Sequence, residues 1–477
     1  MKVTAPLFDA GETLPRPSRE VANPKVSVSD DEVTGVAGLA LWGPLLDRLG
    51  LVDEADRWGL RPIGPGGYSG GECYRALVEM LLAGGEFVSD RSLLAGEAND
   101  CLRGDHRLPS HTTLWRFLAG AGDLGRVSRA AAVNRRMLAR AWAMGAGPTG
   151  GRVTIDPDAT VVDVYGHQEG AARSYKGEKA LSPLVGVCGE TGDVLGVRAR
   201  GGSAGAGRAL GEFIRECTGA IPVPVRERIE LWVRSDSAGY GNEVFVACEQ
   251  LGAKFSVTAI MRTNVRAAIE ALMADPNTRW VPALGHETDR GSQIAETTIV
   301  FTGRTQGRTP SSPEGFSREL RLIVRRQPTR AGEQLCLDEI DSFRFHAIVT
   351  NVSAQDMAAE AVEQHHRLRG GIPEDTIRRL KEDFALSHAP MGNFHGNWLW
   401  WEAVALARNT AGWVQTLALP PPFKRCRAKR LRLAFFNIAA RVVRHAGQLH
   451  LRLPRNHAWA AAFIEALTRI RQLPAYA

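Results

Sequence analysis

The stretch Arg152-Val153-Thr154-Ile155-Asp156-Pro157-Asp158-Ala159-Thr160-Val161-Val162-Asp163-Val164-Tyr165 decides how the rest of the chain is read. Its β-branched residues predict a strand, and its first two acids, two positions apart, lie on one face of that strand. Residues 184–188 predict a second strand. Gly189-Glu190-Thr191-Gly192-Asp193 reads as a hairpin turn into a third, at residues 194–200. An amphipathic helix carrying Leu210, Phe213, Ile214 and Cys217 follows. A fourth strand at residues 229–233 ends near Asp236, and a helix at 243–251 leads to a fifth strand at 254–260. The order β-β-β-α-β-α-β predicts a mixed sheet flanked by helices, an α/β fold. If the first and fourth strands are neighbours, their acids converge at strand ends, where ligand sites of open α/β sheets gather. Taken singly, each Asp reads better as a turn or strand-end cap; the joint placement points to a site.

Outward from this core, the pattern changes on both sides. Residues 1–32 read as a loose polar arm with one short strand at 25–28. Residues 33–147 are helical in pattern. Leu39, Leu41, Leu45, Leu46 and Leu49 crowd one face, and Leu77, Met80, Leu81 and Leu82 make the stripe of a helix at 72–83. Ser110 caps a further helix bearing Trp115 and Arg116, which reads as a plain helical hairpin or as the start of a DNA-reading helix. Gly145 to Gly151 reads as a linker into residues 152–262. Residues 263–352 start helically and then turn strand-like around 297–301, 318–325 and 345–350, a β-rich insertion into the sheet domain. The turn Gly307-Arg308-Thr309-Pro310 falls here, as do the bases Arg304, Arg308, Arg325 and Arg326. Trp280 and Phe301 can stack nucleic-acid bases or fill a small β core. Residues 353–420 return to helix, ending in an aromatic-rich helix with Trp398, Trp400, Trp401 and Trp413 that reads as core.

Charge is unevenly placed. The chain of 477 residues carries a formal net charge of +7. Residues 421–477 hold twelve Lys/Arg and one acid, Glu465, a balance of +11; the remaining 47 bases and 51 acids leave −4. This basic region, read as helical, is either a solvated face or the electrostatic footprint of a polyanion. No apolar run is long enough to span a membrane, and Met1 to Pro6 lacks an apolar signal core. The seven cysteines include no CxxC pair, which argues against structural zinc and fits a reducing cytosol.

Three separated stretches offer acids to one chemistry: Asp156-Pro157-Asp158, Arg234-Ser235-Asp236, and Glu374 to Lys381. Phosphoryl transfer by two metal ions needs carboxylates that hold them about 3.5–4 Å apart, and hard cations take oxygen ligands. Glu374, Arg378 and Lys381 stand at i, i+4 and i+7 on one helix face. There the acid can reach a metal while the bases meet phosphate; the same spacing also makes an exposed salt-bridge ladder.

With Phe384-Ala385-Leu386-Ser387-His388 and the tail from Lys429 to His445, these stretches resemble the bacterial insertion-sequence DDE transposases, the cut-and-paste group with an RNase H-like fold and a β-rich insertion domain. The resemblance covers residues 32–473. It implies a first catalytic and metal-binding acid in the Asp156-Pro157-Asp158 element, Asp158 by its Asp-x-Thr form, with Asp156 as the alternative. It makes Asp236 the second acid, Glu374 the third and Lys381 the downstream base of a Tyr-Arg-Glu-Lys type signature. His366 stands where the tyrosine belongs, and Arg369 precedes Glu374 by one position more than usual, with Pro373 as the apparent insertion. Pro157 disfavours a central strand. Glu363 and Asp375 are the substitutes for Glu374.

The resemblance further implies two Mg²⁺, with Mn²⁺ able to replace them, and cleavage at transposon ends followed by strand transfer, through a hairpin intermediate. A base flipped against an insertion-domain aromatic makes Trp280 the candidate. Arg234, Arg378 and Lys381 are expected on phosphate; Arg116 and the tail bases Lys424, Arg425, Arg427, Lys429, Arg430 and Arg432 on DNA. The partners expected are terminal inverted repeat DNA, target DNA and a second copy of the chain, in the cytoplasm at the nucleoid, with no membrane. A nuclease without strand transfer and an inactive, transposase-derived DNA-binding protein remain the alternatives.

Overall fold

The computed structural model describes residues 32–60, 67–174, 176–285, 290–303, 316–329, 339–340 and 343–476. The expected strand at 25–28 and the turn with Arg304 and Arg308 lie outside them. A two-residue strand, β1 (Val33–Thr34), opens the N-terminal part. It is followed by α1 (Leu39–Arg48), α2 (Leu51–Arg57), α3 (Gly70–Ala83), α4 (Glu97–Arg103), α5 (His111–Ala119) and α6 (Leu124–Ala141). Local chemistry sets these boundaries. Ser69 and Glu72 form a reciprocal capping box at the start of α3, and Ser110 accepts from the Thr113 amide at the start of α5.

The next segment holds β2 (Arg152–Ala159), then three short strands β3 (Val162–Asp163), β4 (Ala172–Arg173) and β5 (Lys179–Leu181) that form a small sheet of their own. It continues with β6 (Leu184–Cys188), β7 (Val194–Arg198), α7 (Leu210–Ala220), α8 (Val223–Arg226), β8 (Glu230–Ser235), α9 (Asn242–Gln250) and β9 (Lys254–Thr258). The core strands lie in the order β7-β6-β2-β8-β9, with β2 parallel to β8 and antiparallel to β6. This is the RNase H-like mixed sheet that the resemblance implies. α7 packs on β6 and β7 so closely that a Cβ at Gly186 would meet the Cys217 sulfur at 2.3 Å.

Residues 263–352 supply α10 (Thr263–Ala274), β10 (Val281–Pro282), β11 (Gln293–Gly303), β12 (Phe316–Pro328), β13 (Glu339–Ile340) and β14 (Phe343–Thr350). These strands do not build a separate sheet. β14 pairs antiparallel with β9, and β12, β11 and β10 follow, so they extend the core sheet from its β9 edge. Phe301 is buried against Tyr240 and Phe245, a core role.

After α11 (Ala359–Arg367), α12 (Ile372–Asp383) and α13 (Phe394–Leu417), the chain ends in α14 (Ala428–Leu431), β15 (Ala440–His445), β16 (Gln448–Arg452) and α15 (Ala460–Gln472). α13 touches β7 as well as α3 and α6, and joins the helical part to the sheet. Trp400, Trp401 and Trp413 are buried in it, and their indole N–H groups donate to Ala385 O, His388 O and Asp193 Oδ1. The expectation of a helical tail is corrected for residues 440–452. Val442 and Val443 favour a strand, Val442 is buried, and the hairpin gains a third strand by pairing β15 with β1.

Candidate active site

The parallel register of β2 and β8 builds the site. Thr154 aligns with Trp232 and Ile155 with Val233, so one face carries the row Thr154, Asp156, Asp158 beside the row Trp232, Arg234, Asp236. α11 and the turn after it cover this face. Thr154 Oγ1 lies 3.4 Å from His365 Nε2, and the Trp232 and His365 rings are 4.4 Å apart.

In the middle of the face, Asp156 and Arg234 are committed to each other. Both are buried, and the guanidinium donates twice to the carboxylate, at 2.9 and 2.6 Å. Its remaining nitrogen donates to His365 O at 2.7 Å. Gly189 closes over the pair; a Cβ there would stand 2.5 Å from Arg234 Nη2. Burial holds the Asp156 carboxyl above the usual carboxylate range, against the pull of Arg234. The expectation of Arg234 on phosphate is therefore corrected: the residue is a buried counter-charge. Asp156, the alternative first acid, has both oxygens engaged.

Asp158 sits where the strands part. The ladder to β8 ends at Ile155, so β2 pairs only with β6 beyond it. That is why Pro157, buried in the middle of the sheet, is tolerated: its missing N–H falls where one side carries no partner. Continuing the register sets Asp158 opposite Asp236 at the C-terminal ends. Asp158 Oδ1 accepts its neighbour's amide (Ala159 N, 2.8 Å), and Oδ2 meets Arg369 Nη2 at 3.1 Å. Burial raises the Asp158 carboxyl, Arg369 opposes this, and the charges of Asp236 and Glu374 push it further up. Asp236 caps the short turn after β8, accepting from Ala238 N at 3.0 Å.

Glu374 comes from the first turn of α12, half exposed, 3.7 Å from Arg369 Nη1. Arg369 thus joins the first and third acids. The sequence flagged this residue only as displaced; its signal was the basic residue just before the acid-bearing helix. Pro373 costs the helix nothing, because it occupies the first turn, where an amide has no intrahelical acceptor. Both substitutes for Glu374 are otherwise engaged, Glu363 with Arg367 and Arg325, and Asp375 with Arg378 and Arg379. His366 bonds Ser256 and Thr258 from within the core.

An open groove beside the acids is lined by Asp158, Thr160, Glu374, Arg378 and Lys381. Lys381 donates to Val161 O at 3.2 Å, which ties α12 to the end of β2. Among the described residues, no three His, Cys, Asp or Glu side chains stand close enough to hold one metal ion. The tail abuts the far end of α12: Arg379 donates to Arg425 O and Cys426 O, and Arg427 lies 4.0 Å from Glu382. Lys424, Arg425, Arg427, Lys429 and Arg430 are exposed. Arg432 is not available to DNA. It donates to Leu81 O, Leu82 O and Asp383 O, and burial lowers it to about 10. Trp280 has Arg326 over its ring at 4.0 Å and packs against the core; Arg116 is exposed on α5.

A mixed sheet in this strand order, flanked by helices and with Asp158 and Asp236 at the carboxyl ends of β2 and β8, is an RNase H-like α/β fold. The chain belongs to the family described as Transposase DDE domain group 1, whose profile matches residues 21–475. Among solved structures, a cryo-EM structure of the piggyBac transposase synaptic complex with hairpin DNA is similar to it at 12% identity, covering 83% of this chain and 79% of that one, with a TM-score of 0.41. Among curated proteins, none matches.

Proposed function

We propose that this chain is a metal-dependent DNA transposase that cleaves at the ends of its element and joins the freed 3′-hydroxyl to target DNA. The observation that carries this reading is the placement of Asp158 and Asp236 at the ends of the neighbouring strands β2 and β8, with Arg369 reaching both Asp158 and Glu374. Carboxylate oxygens are the donors that hard divalent cations, Mg²⁺ or Mn²⁺, take. Asp158, Asp236 and Glu374 would hold them; when bound, they supply charge stabilisation at the attacking and leaving oxygens. The chain's own residues do the rest. The buried Asp156–Arg234 pair fixes β2 against β8 and hence the spacing of the acids. Arg369 positions Asp158 and Glu374. Lys381 and Arg378 present positive charge to a phosphate in the groove. The exposed tail bases and α5 bind the terminal repeats, and paired end cleavage requires at least two copies of the chain.

The test is incubation with Mg²⁺, DNA carrying the element's terminal repeats, and a target plasmid. Cleaved ends and joined products are expected from the wild type and neither from Asp236→Ala. Cleavage without joining, even with a 3′-hydroxyl end supplied, would leave a nuclease. The binding-only reading has one observation in its favour, the absence of a ready three-ligand cluster among the described residues. It is selected if wild type and Asp236→Ala bind DNA equally and neither cuts.

A further inference from the structure

The side chain of Tyr165 is 100% exposed; the next most exposed large apolar side chain among the described residues, Leu433, is at 68%. The backbone that carries this ring is nonetheless held on both sides. Val164 is buried and its amide donates to Lys179 O at 2.9 Å, while Lys179 Nζ donates to Gly166 O at 2.7 Å. Further on, the Glu169 amide donates to Gly392 O at 2.8 Å and its carboxylate accepts from Phe394 N at 2.9 Å. The Gly202 amide donates to Gly170 O at 3.1 Å, and a Cβ at Gly170 would meet the Phe394 ring at 2.8 Å, so the loop seats on the start of α13. A ring wholly in water returns nothing to the stability of the fold. Fixing the backbone beneath it does lower the ordering cost of a contact with a partner.

Its place in the chain supplies the partner. The backbone leaves β2 through Thr160, which lines the groove with Asp158, Glu374, Arg378 and Lys381, and then through Val161, whose carbonyl accepts from Lys381. Tyr165 follows Thr160 by five residues, so it stands within about 18 Å of it even for a fully extended chain. Nucleotides of one strand succeed each other about every 3.4 Å, and that reach covers roughly five of them. We infer that Tyr165 packs its ring on a nucleotide of the DNA strand that occupies this groove, within roughly five positions of the one beside Thr160. The inference rests on the transposase reading and adds a positioning residue to it: the ring sets how far the strand advances, while Arg378 and Lys381 face its phosphates. Every base has a π-face, so a contact of this kind fixes register and not base identity.

The test uses the full-length protein and terminal-repeat DNA carrying 5-iodouracil singly at each position near the cleaved bond. Irradiation of the wild-type complex should give a crosslink that maps to Tyr165 at one or two neighbouring positions. Tyr165→Ala should lose that crosslink and bind the DNA about 5- to 150-fold more weakly, the range for one lost base stack, with the Tm of the free protein unchanged. Tyr165→Phe, which keeps the ring and drops the hydroxyl, should bind as the wild type does. Crosslinks that map away from Tyr165 at every position overturn the proposal. So does a Tyr165→Ala variant with wild-type affinity, a Tyr165→Phe variant as weak as Tyr165→Ala, or a loss of affinity that tracks a lowered Tm. Failure of the transposase reading shows differently: the wild type then binds and crosslinks through Tyr165 but neither cleaves nor joins with Mg²⁺.

Discussion

Two carboxylates on one strand face take different roles because of where the neighbouring strand ends. Asp156 lies within reach of the parallel ladder and is spent on Arg234; Asp158 lies beyond it and faces the groove. Breaking a buried pair by removing one partner leaves an uncompensated charge, so Asp156→Ala should cost about 3–5 kcal/mol in urea unfolding. Asp158→Asn should change stability by less than about 1 kcal/mol, since its partner Arg369 is at a part-exposed site. It should nevertheless abolish Mg²⁺-dependent cleavage. A stable, inactive Asp156 variant beside an active Asp158 variant would reverse the assignment. The acids were legible in the sequence as a pair. Their division of labour was not, because it depends on which side chain crosses from β8.

At the scale of elements, α13 carries a buried acid, Glu402. Glu402 is buried in mid-helix, and its carboxylate accepts from Asn134 of α6 at 2.8 Å. Burial raises it to about 8, against the pull of Asn134. In the unfolded chain a glutamate titrates near 4.3, so between these values the folded state holds a proton that the unfolded state has lost. Glu402 therefore contributes stability that is complete below about pH 4.3 and is lost as pH rises through about 8. Thermal melts between about pH 5 and 9 should show wild type losing ground to Glu402→Gln as pH rises. Parallel curves would refute the assignment. The tryptophans of α13 were legible as core by their density. The tail hairpin was not legible as strand: a run of arginines masked the two valines, and the third strand it needs lies more than 400 residues upstream in β1.

Across the whole molecule, the positive excess sits in the last 57 residues, and most of its bases near α12 are exposed. Replacing Lys424, Arg425, Arg427 and Lys429 by Gln should weaken DNA binding by one factor for all sequences and flatten its salt dependence, with the Tm unchanged. Arg432→Gln should do the opposite. It strips donors from three part-buried carbonyls joining α3 and α12 to the tail, at a cost of about 1–3 kcal/mol, and should leave the salt slope of the folded protein alone. Equal behaviour of the two variants in both assays would show that exposure does not sort these bases.

The sequence by itself determined the order of the main strands and helices between residues 152 and 262, the uneven charge, and the short set of acids from which a site can be drawn. Periodicity and composition are local properties, and they survive without knowledge of what packs where. Only the tertiary structure decided that β2 and β8 are neighbours, that Asp156 and Arg234 neutralise each other, that the strands of residues 263–352 extend the core sheet, and that Arg369 links Asp158 to Glu374. Each of these is a contact between residues far apart in the chain. Whether a charge is spent or available depends on its partner and its burial, and neither is written at its own position.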